Sequence, residues 1–376
     1  MPPGFILPLL GYSVSTMTNS APAANASPLA QTRPPLGEKS VSVIFNPVSG
    51  STDPEERKKT ISDALAAHGY TCQYLSTSKE EGANALAKKA LADGVDLIAV
   101  SGGDGTVMEV LSALVGTNIP VAVLPAGTGN LLSINLGIPT TVPDAVEVAL
   151  GGLPYKLDLV KMDEHRYFAI MGGMGLDAQM IADADRDAKR KFGPFAYFWA
   201  VAKNLRRQRV LYEISLDDGP PMRHRAKTVM VANMGKITGG VDAIPTASPS
   251  DGLLDIGILK AHTFGQGLRL IGNALLGRAH EDPMLVVHQA RKMRIVPHRP
   301  QLCELDGESI GRIRDWQVEV VPQAVQILLP KDAPATRGEQ SPPEVAARRS
   351  ARQRLIAPLV VIALLSAGIY AWRRRR

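Results

Sequence analysis

The residues best suited to chemistry lie in a glycine-rich turn at positions 101–106, with the sequence SGGDGT. Three glycines within four residues leave the backbone accessible and allow positive φ angles without strain. A short apolar run at 97–100 precedes the turn, and apolar residues at helical spacing follow it over 107–114. A strand, a glycine turn and a helix N-terminus in succession are typical of a phosphate cradle.

The acid within this turn, Asp104, indicates a metal-bound nucleotide rather than a bare anion. A carboxylate repels phosphate unless a cation such as Mg²⁺ lies between them. The spacing matches neither the dinucleotide-binding fingerprint nor the P-loop. An ordinary strand-to-helix turn of an α/β protein is the alternative interpretation of this stretch.

Two more polar turns that contain glycine follow predicted strands, at 46–51 (NPVSGS) and 125–130 (PAGTGN). The predicted strands, which alternate with helices, are residues 41–45, 70–76, 97–100 and 121–124. This alternation predicts a Rossmann-like, doubly wound α/β domain. Ligands of such sheets bind beyond the carboxyl ends of the strands, so we expect all three turns to face one crevice.

The pattern changes after about residue 154, where strands succeed one another instead of alternating with helices. This succession predicts an antiparallel second domain, a β-sandwich. Helices are predicted at 177–191 and 194–207, and the glycine run 172–175 is interpreted as a break between strands. The predicted strands are residues 155–162, 167–171, 211–216, 224–232, 253–259, 285–296, 317–321 and 325–329.

Composition narrows the class of protein. The 376 residues are 45% hydrophobic and 21% charged, which suits two globular domains. Aromatic residues make up only 5%, which argues against a base-stacking nucleic-acid platform. The net charge of +6 comes from arginines near the C-terminus, so it does not mark a binding face. The two cysteines, Cys72 and Cys303, and the seven histidines have no metal-ligand spacing.

The two ends of the chain differ from its middle. Residues 1–40 are rich in Pro, Ala, Ser and Thr, and we expect them to be disordered. Residues 331–354 read as a linker, and 355–372 (LIAPLVVIALLSAGIYAW) form an uncharged run of the minimum length for a transmembrane helix. An amphipathic or buried helix is the alternative, and arginines on both sides leave the orientation open.

Taken in order, five motifs resemble the diacylglycerol kinase catalytic domain family, which includes bacterial soluble lipid kinases, sphingosine kinases and ceramide kinases. The motifs are 46–50 (NPVSG), 102–106 (GGDGT), 125–130 (PAGTGN), 248–255 (SPSDGLLD) and 305–308 (LDGE). The similarity runs from about residue 41 to 329. It implies an α/β nucleotide domain joined to a β-sandwich, with ATP in the cleft between them.

The resemblance also implies roles for individual residues. Asp306 matches the proposed general base, and Asp251, with carbonyls near Ser248 and Leu253, matches a structural Mg²⁺ site. The implied nucleotide-site residues are Asn46, Ser49, Gly50, Thr77, Gly102, Gly103, Asp104, Gly105, Thr106, Thr128 and Glu308. From the residues alone, a hairpin turn is the favoured interpretation of Asp306-Gly307, and a turn is an open alternative for Asp251-Gly252. The glycine run 172–175 could border the lipid site, although a bend in the chain is the simpler interpretation.

The resulting expectation is an ATP- and Mg²⁺-dependent lipid kinase that phosphorylates a hydroxyl of a diacylglycerol-like or sphingoid lipid. We expect a single-pass C-terminal membrane anchor with cytoplasmic catalytic domains, a lipid and a membrane as partners, and no nucleic acid. The oligomeric state stays open, a homo-oligomer included. The expected domains are residues 41–154 and 155–330.

Two alternatives remain at this point. One is a soluble-substrate kinase such as an NAD kinase or a phosphofructokinase, because these share the Gly-Gly-Asp-Gly turn. The other is a catalytically silent, membrane-tethered module that binds lipid or nucleotide.

Overall fold

The computed structural model describes residues 40–175, 209–237, 241–261, 263–275, 278 and 281–333. Several predictions lie outside these ranges: the disordered segment before residue 40, the helices at 177–191 and 194–207, most of the linker and the membrane helix at 355–372. Among the described residues, no helix is both long and apolar enough to cross a bilayer.

The N-terminal half is a doubly wound α/β unit, as predicted. Its elements are β1 Ser40–Phe45, α1 Pro54–Ala67, β2 Thr71–Ser76, α2 Ala83–Ala92, β3 Ile98–Gly102, α3 Asp104–Ala113, β4 Pro120–Pro125, α4 Leu131–Leu136 and α5 Val142–Gly151. The four strands are parallel in the order β2-β1-β3-β4. One apolar core lies on each face of this sheet, because α1 and α5 cover one face while α2, α3 and α4 cover the other.

Local sequence explains how these helices start and which face they bury. Asp53 caps α1, since its carboxylate accepts the N–H groups of Glu55 and Glu56 at 2.9 and 3.1 Å. Pro54 follows at the first helical position, where its missing N–H costs nothing. In α3 the predicted apolar face is buried, from Val107 to Leu114.

The second half forms a β-sandwich, as predicted. Its elements are β5 Leu153–Lys161, β6 Tyr167–Phe168, β7 Met171–Met174, β8 Val210–Leu216, β9 Met222–Ala226, β10 Thr228–Ala232, β11 Lys236–Ile237, β12 Val241–Asp242, β13 Leu254–Leu259, α6 Phe264–Leu275, β14 Leu285–Ala290, β15 Lys292–Pro297, β16 Gln301–Leu305, β17 Glu308–Ile313 and β18 Trp316–Leu329. An antiparallel sheet, in the order β14-β13-β10-β7-β16-β17, packs across an apolar core from β15, β8 and β9.

The prediction of a single strand was wrong for two long segments. Residues 224–232 and 285–296 each contain two strands that belong to different sheets. The chain turns from one layer to the other at Lys227 and at Arg291. The apolar pattern continues across both corners because both flanking strands face the same core.

The interpretation of glycines 172–175 as a break was also wrong. Residues Met171–Met174 form β7, an interior strand that pairs with β10 and β16. Glycine is required there by packing rather than by a turn. A Cβ on Gly172 would lie 2.9 Å from side-chain carbons of both Leu305 and Trp316, so any larger residue would displace the core.

The two halves are joined through β5 and β18. Strand β18 pairs in parallel with β4 at Gln326 and Ile327, and antiparallel with β15 at its other end. Strand β5 runs antiparallel to β18 from Leu153 to Lys161, with a bulge in β18 between Val321 and Val325. Strands from both halves therefore form one continuous ten-stranded sheet. The expected boundary between residues 154 and 155 falls inside β5.

The bulge is secured by Asp158, a fully buried carboxylate on β5. It accepts the N–H of Gln323 at 2.7 Å and that of Gly252 at 2.8 Å. Gln323 occupies the left-handed region, with φ of 50°. Asp158 thereby ties the irregular part of β18 to the loop before β13.

We expect Asp158→Ala to destabilise the protein strongly. The substitution leaves two N–H groups without their acceptor, and each buried unsatisfied group costs about 1–3 kcal/mol. The free energy of unfolding, measured in urea through the fluorescence of buried Trp316, should fall by roughly 2–5 kcal/mol. Asp93→Ala, at an exposed helix end, is the matched control and should change it by less than about 0.5 kcal/mol. Equal losses in the two variants would contradict the role given to Asp158.

Candidate active site

The three predicted turns meet at the carboxyl ends of β1, β3 and β4. Asn46 Nδ2 donates to Thr106 Oγ1 at 2.8 Å, which links the first turn to the second. The N–H of Gly103 donates to Ser49 Oγ at 3.2 Å. The third turn approaches both through Ala126 and Gly127. The structure thus brings together the turns that the sequence predicted to share one crevice.

Glycine makes this close approach possible. Gly50 has φ of 82°, and a Cβ there would stand 2.2 Å from the carbonyl oxygen of Ala126. A Cβ on Gly127 would stand 2.7 Å from Cα of Gly103. Real Cβ atoms do not tolerate such distances, so at these two points the backbones of the turns meet with no room for a side chain. Helix α3 begins at Asp104 on this surface, and its first N–H groups lack partners within the helix.

A buried cation, Arg57, organises the first turn, and it was missed in the sequence. Its guanidinium donates to the carbonyl oxygens of Asn46 and Ser49 and lies 4.4 Å from the centroid of the Phe45 ring. Only 4% of Arg57 is exposed, and burial lowers its pKa. The sequence did contain one indication that Arg57 is buried. Arg57 precedes Ile61 and Leu65 at intervals of four residues, so all three lie on the buried face of α1.

Asp104 lies between the second and third turns. Its Oδ1 accepts the N–H of Leu132 at 3.1 Å, near the start of α4. Its Oδ2 lies 3.1 Å from the point where a Cβ on Gly129 would stand. Negative charge is favourable near the start of a helix, so Asp104 is oriented by α4 while it occupies the first turn of α3.

From the sandwich, the β16–β17 hairpin brings Asp306 to the same crevice. Leu305 pairs with Glu308, and the intervening Asp306 and Gly307 have φ of 47° and 88°, as a two-residue hairpin turn requires. The Asp306 carboxylate accepts the N–H groups of residues 169, 170 and 171 at 2.8, 3.0 and 2.9 Å. The motif is therefore a hairpin turn, and the turn fixes the direction of its carboxylate.

The surroundings of Asp306 raise the pKa of its carboxyl group. Burial raises the pKa of Asp306 to about 6, and the negative charge of Asp104 adds to this rise. The three N–H donors act in the opposite direction, because they stabilise the ionised form. The charges of Asp306 and Asp104 thus interact across the crevice.

Glu308 completes the contact between the two halves. Its side chain is exposed, and its Oε1 lies 3.0 Å from the position that a Cβ on Gly105 would occupy. The hairpin from the sandwich therefore reaches the glycine turn of the α/β unit. The crevice is bounded by both domains, and carboxylates from each side enter it.

Glu304 is a further residue of this site that the sequence did not reveal. Its Oε2 accepts the N–H of Gly307 at 2.9 Å, and its Oε1 lies 3.1 Å from the Cβ position of Gly173. Burial raises the pKa of Glu304 to about 7, with a further upward contribution from Asp306. In the sequence, Glu304 resembles any outward-facing residue of a strand, two positions before Asp306, so the pattern did not indicate a role for it.

The remaining predicted residues lie at the margin of the crevice or away from it. Thr77 follows β2, where its N–H donates to Phe45 O at 2.9 Å, and Thr128 is exposed in the third turn. The Asp251 carboxylate accepts the N–H of Leu253 at 2.9 Å. Burial raises the pKa of Asp251, as do the charges of Asp255 and Asp158.

The loop that carries Asp251 and Ser248 docks on β5 rather than on the three turns. Ser250 accepts the Tyr155 hydroxyl at 2.6 Å, and Pro249 O accepts the N–H of Asp158 at 2.8 Å. Over the described ranges, no three or more His, Cys, Asp or Glu side chains are grouped so that they could hold a metal. A site built from Asp251 and carbonyls of Ser248 and Leu253 stays a prediction.

Fold and site together define the class of the protein: a two-domain protein with an α/β domain of the nucleotide-binding type and a β-sandwich. Residues 40–162 match the sequence profile described as "Diacylglycerol kinase catalytic domain". Residues 171–329 match "YegS C-terminal NAD kinase beta sandwich-like domain". The chain belongs to the diacylglycerol kinase catalytic domain family.

Relatives support this assignment over most of their length. A Synechocystis protein of uncharacterised function is 30% identical over 77% of this chain and 70% of its own. A diacylglycerol kinase of Bacillus subtilis is 26% identical over 78% of this chain and 97% of its own. A crystal structure of a diacylglycerol kinase from Bacillus anthracis superposes with a TM-score of 0.64 and 26% identity, covering 77% of this chain and 97% of that one.

The contact between turns can be tested with a pair of glycine substitutions. Gly50 and Gly94 both have positive φ, but a Cβ on Gly94 would have nothing within 4 Å. We expect Gly94→Ala to lower the free energy of unfolding by about 1 kcal/mol, through backbone strain alone. Gly50→Ala should cost at least about twice as much, because it also displaces the third turn.

Amide hydrogen exchange measures the effect of Gly50→Ala and Gly94→Ala on the contacts between the turns. The N–H of Gly103, bonded to Ser49, and that of Ala126, bonded to Gly102 O, should exchange faster in Gly50→Ala. In Gly94→Ala both should keep the wild-type rate. Unchanged exchange in Gly50→Ala would show that the turns do not depend on one another.

Proposed function

We propose that the protein transfers the γ-phosphoryl group of ATP to a hydroxyl of a diacylglycerol-like or sphingoid lipid. The observation that carries this proposal is the position of Asp306. Its carboxylate is held by three backbone N–H groups at the crevice, opposite the glycine turn that contains Asp104. A phosphate cradle on one domain therefore faces an oriented base on the other.

The cradle suits a triphosphate. Phosphoryl transfer depends mainly on positioning and on neutralising charge. The first N–H groups of α3, the glycine backbone and the buried cation Arg57 supply favourable potential for phosphate oxygens. Asn46 and Ser49 are already oriented by their hydrogen bonds to the second turn.

The donor set also fits Mg²⁺. Asp104 and Glu308 both place carboxylate oxygens beside the glycine turn, and carboxylate oxygens are the protein ligands that Mg²⁺ prefers. Once bound there, Mg²⁺ would neutralise charge on the transferred phosphoryl group. It would also offset the repulsion between these carboxylates and the phosphates.

Asp306 would accept the proton of the attacking hydroxyl. A general base works best when its pKa lies near the operating pH, and burial brings the pKa of Asp306 to about 6. Glu304 accepts the N–H of Gly307, the other central residue of the turn, and so helps to fix the turn that carries the base. The N–H groups of residues 169–171 fix the direction of the carboxylate.

A lipid acceptor is supported by relatives named as diacylglycerol kinases, from Mycobacterium tuberculosis and Bacillus subtilis among others. The uncharged run at 355–372 agrees with a substrate that resides in a bilayer. We therefore propose a C-terminal membrane anchor with the catalytic domains on the cytoplasmic side, where ATP is available. A soluble acceptor such as NAD is the second candidate, because the second domain matches a profile described as NAD kinase-like.

The deciding experiment is lipid phosphorylation by the full-length protein. With ATP and Mg²⁺, a total lipid extract should yield a phosphorylated lipid by mass spectrometry, whereas NAD should stay unmodified. Asp306→Asn should lower kcat by about 10²–10⁴-fold, the usual contribution of a general base, and leave ATP affinity nearly unchanged. Asp218→Asn is the matched control, since Asp218 also has positive φ, 60°, on the surface. Phosphate on NAD alone, or full activity in Asp306→Asn, would refute the proposal.

The pH dependence gives an independent check of the base. Asp306 acts in its deprotonated form, so activity is present above its pKa and lost as the pH falls through it. With the pKa raised to about 6, kcat/KM should fall towards tenfold per pH unit below that value. A profile of initial rates between acid and neutral pH measures this. A flat profile through that range would exclude Asp306 as the titrating base.

A further inference from the structure

Two histidines meet at an edge of the sandwich. His224 is on β9, at one end of the ten-stranded sheet, and His288 is on β14, at one end of the six-stranded sheet. Residues two positions further along, Ala226 and Ala290, belong to the sandwich core. Side chains two apart share a face of a strand, so both imidazoles point inward between the sheets.

The two rings lie close together, and one nitrogen of each has no hydrogen-bond partner. Their centroids are 6.1 Å apart, and the ring planes are inclined by 51°. The Nε2 atoms of both His224 and His288 are buried and have no hydrogen-bond partner. Buried polar atoms without partners are rare and costly, so such a pair indicates that something bridges them.

We propose that His224 and His288 form a site for a divalent transition-metal ion of the kind that imidazole binds, such as Zn²⁺ or Cu²⁺, which links the two sheets of the sandwich. Zinc binds imidazole nitrogen at about 2.0–2.1 Å, which puts each ring centroid about 3.2 Å from the ion. Two rings on one ion are therefore about 5.2 Å apart at the tetrahedral angle, and roughly 6.4 Å apart when they lie on opposite sides of the ion. The observed separation of 6.1 Å lies between these values, so a tetrahedral ion would draw the two rings together by about 1 Å.

A positive charge near the pair limits how tightly the site binds a cation. Lys260 lies close enough to His224 for the two charges to interact. Its ammonium group repels a metal ion, which limits the affinity of the site.

The number of protein ligands determines how strongly this site would bind a metal ion. No third His, Cys, Asp or Glu joins the pair in the part of the chain that the structure covers. The other coordination positions would be filled by water, so the ion would bind more weakly than in a four-ligand structural zinc site. Its effect would be to fasten the edge where β9 and β14 meet, independently of the kinase chemistry.

The test uses the full-length protein without a polyhistidine tag, stripped with a chelator and kept in excess Mg²⁺ to occupy carboxylate sites. Zn²⁺ alone should bind one ion per chain by calorimetry and raise the unfolding temperature by a few degrees once it exceeds its Kd. His224→Gln and His288→Gln should each lose this binding. His68→Gln removes an exposed histidine paired with Glu147 and should bind as the wild type does.

A spectroscopic measurement keeps the proposal testable even if a variant folds poorly. Bound Cu²⁺ in the wild-type protein should show nitrogen hyperfine coupling from two imidazoles. Coupling from one imidazole or none would overturn the proposal. Zn²⁺ binding that persists unchanged in the folded His224→Gln and His288→Gln variants would overturn it as well.

Discussion

The pairing of β5 with β18 is the constraint on which the rest of the structure depends. It carries one sheet from the α/β unit into the sandwich, so the two halves share a continuous ladder of backbone hydrogen bonds. A flexible linker would allow the halves to separate, whereas a shared sheet joins them through backbone hydrogen bonds. The Asp306 hairpin belongs to the other sheet, but its carboxylate is held by residues 169–171, which directly follow β6 of the shared sheet.

Charge is the second constraint on the site. Four carboxylates, on Asp104, Glu304, Asp306 and Glu308, come from both domains to one crevice. Their mutual repulsion is offset by backbone N–H groups, which hold Asp306 and Glu304, and by the helix starts near Asp104. An arrangement that brings carboxylates close to the free N–H groups of a helix start is suited to a ligand that contains both phosphate and cation.

Much of this architecture could be predicted from local sequence, because alternation, capping and glycine turns are short-range properties. The cap at Asp53, the buried face of α3 and the meeting of the three turns all follow from such signals. Strand partners are long-range, so nothing in the pattern showed that β18 would return to β4 or that residues 224–232 would change sheets. The same holds for the site: the LDGE motif located Asp306, but its three N–H donors lie more than 130 positions away in the chain.

The burial of Arg57 has a consequence for how the crevice responds to salt. Its guanidinium stays charged at any physiological pH, and both of its hydrogen bonds go to carbonyl oxygens of the first turn. Mobile ions screen exposed charges within about 10 Å at ordinary ionic strength, but they cannot surround a group that is only 4% exposed. The positive charge beneath the first turn is thus part of the folded structure, and it persists under salt conditions that screen surface lysines.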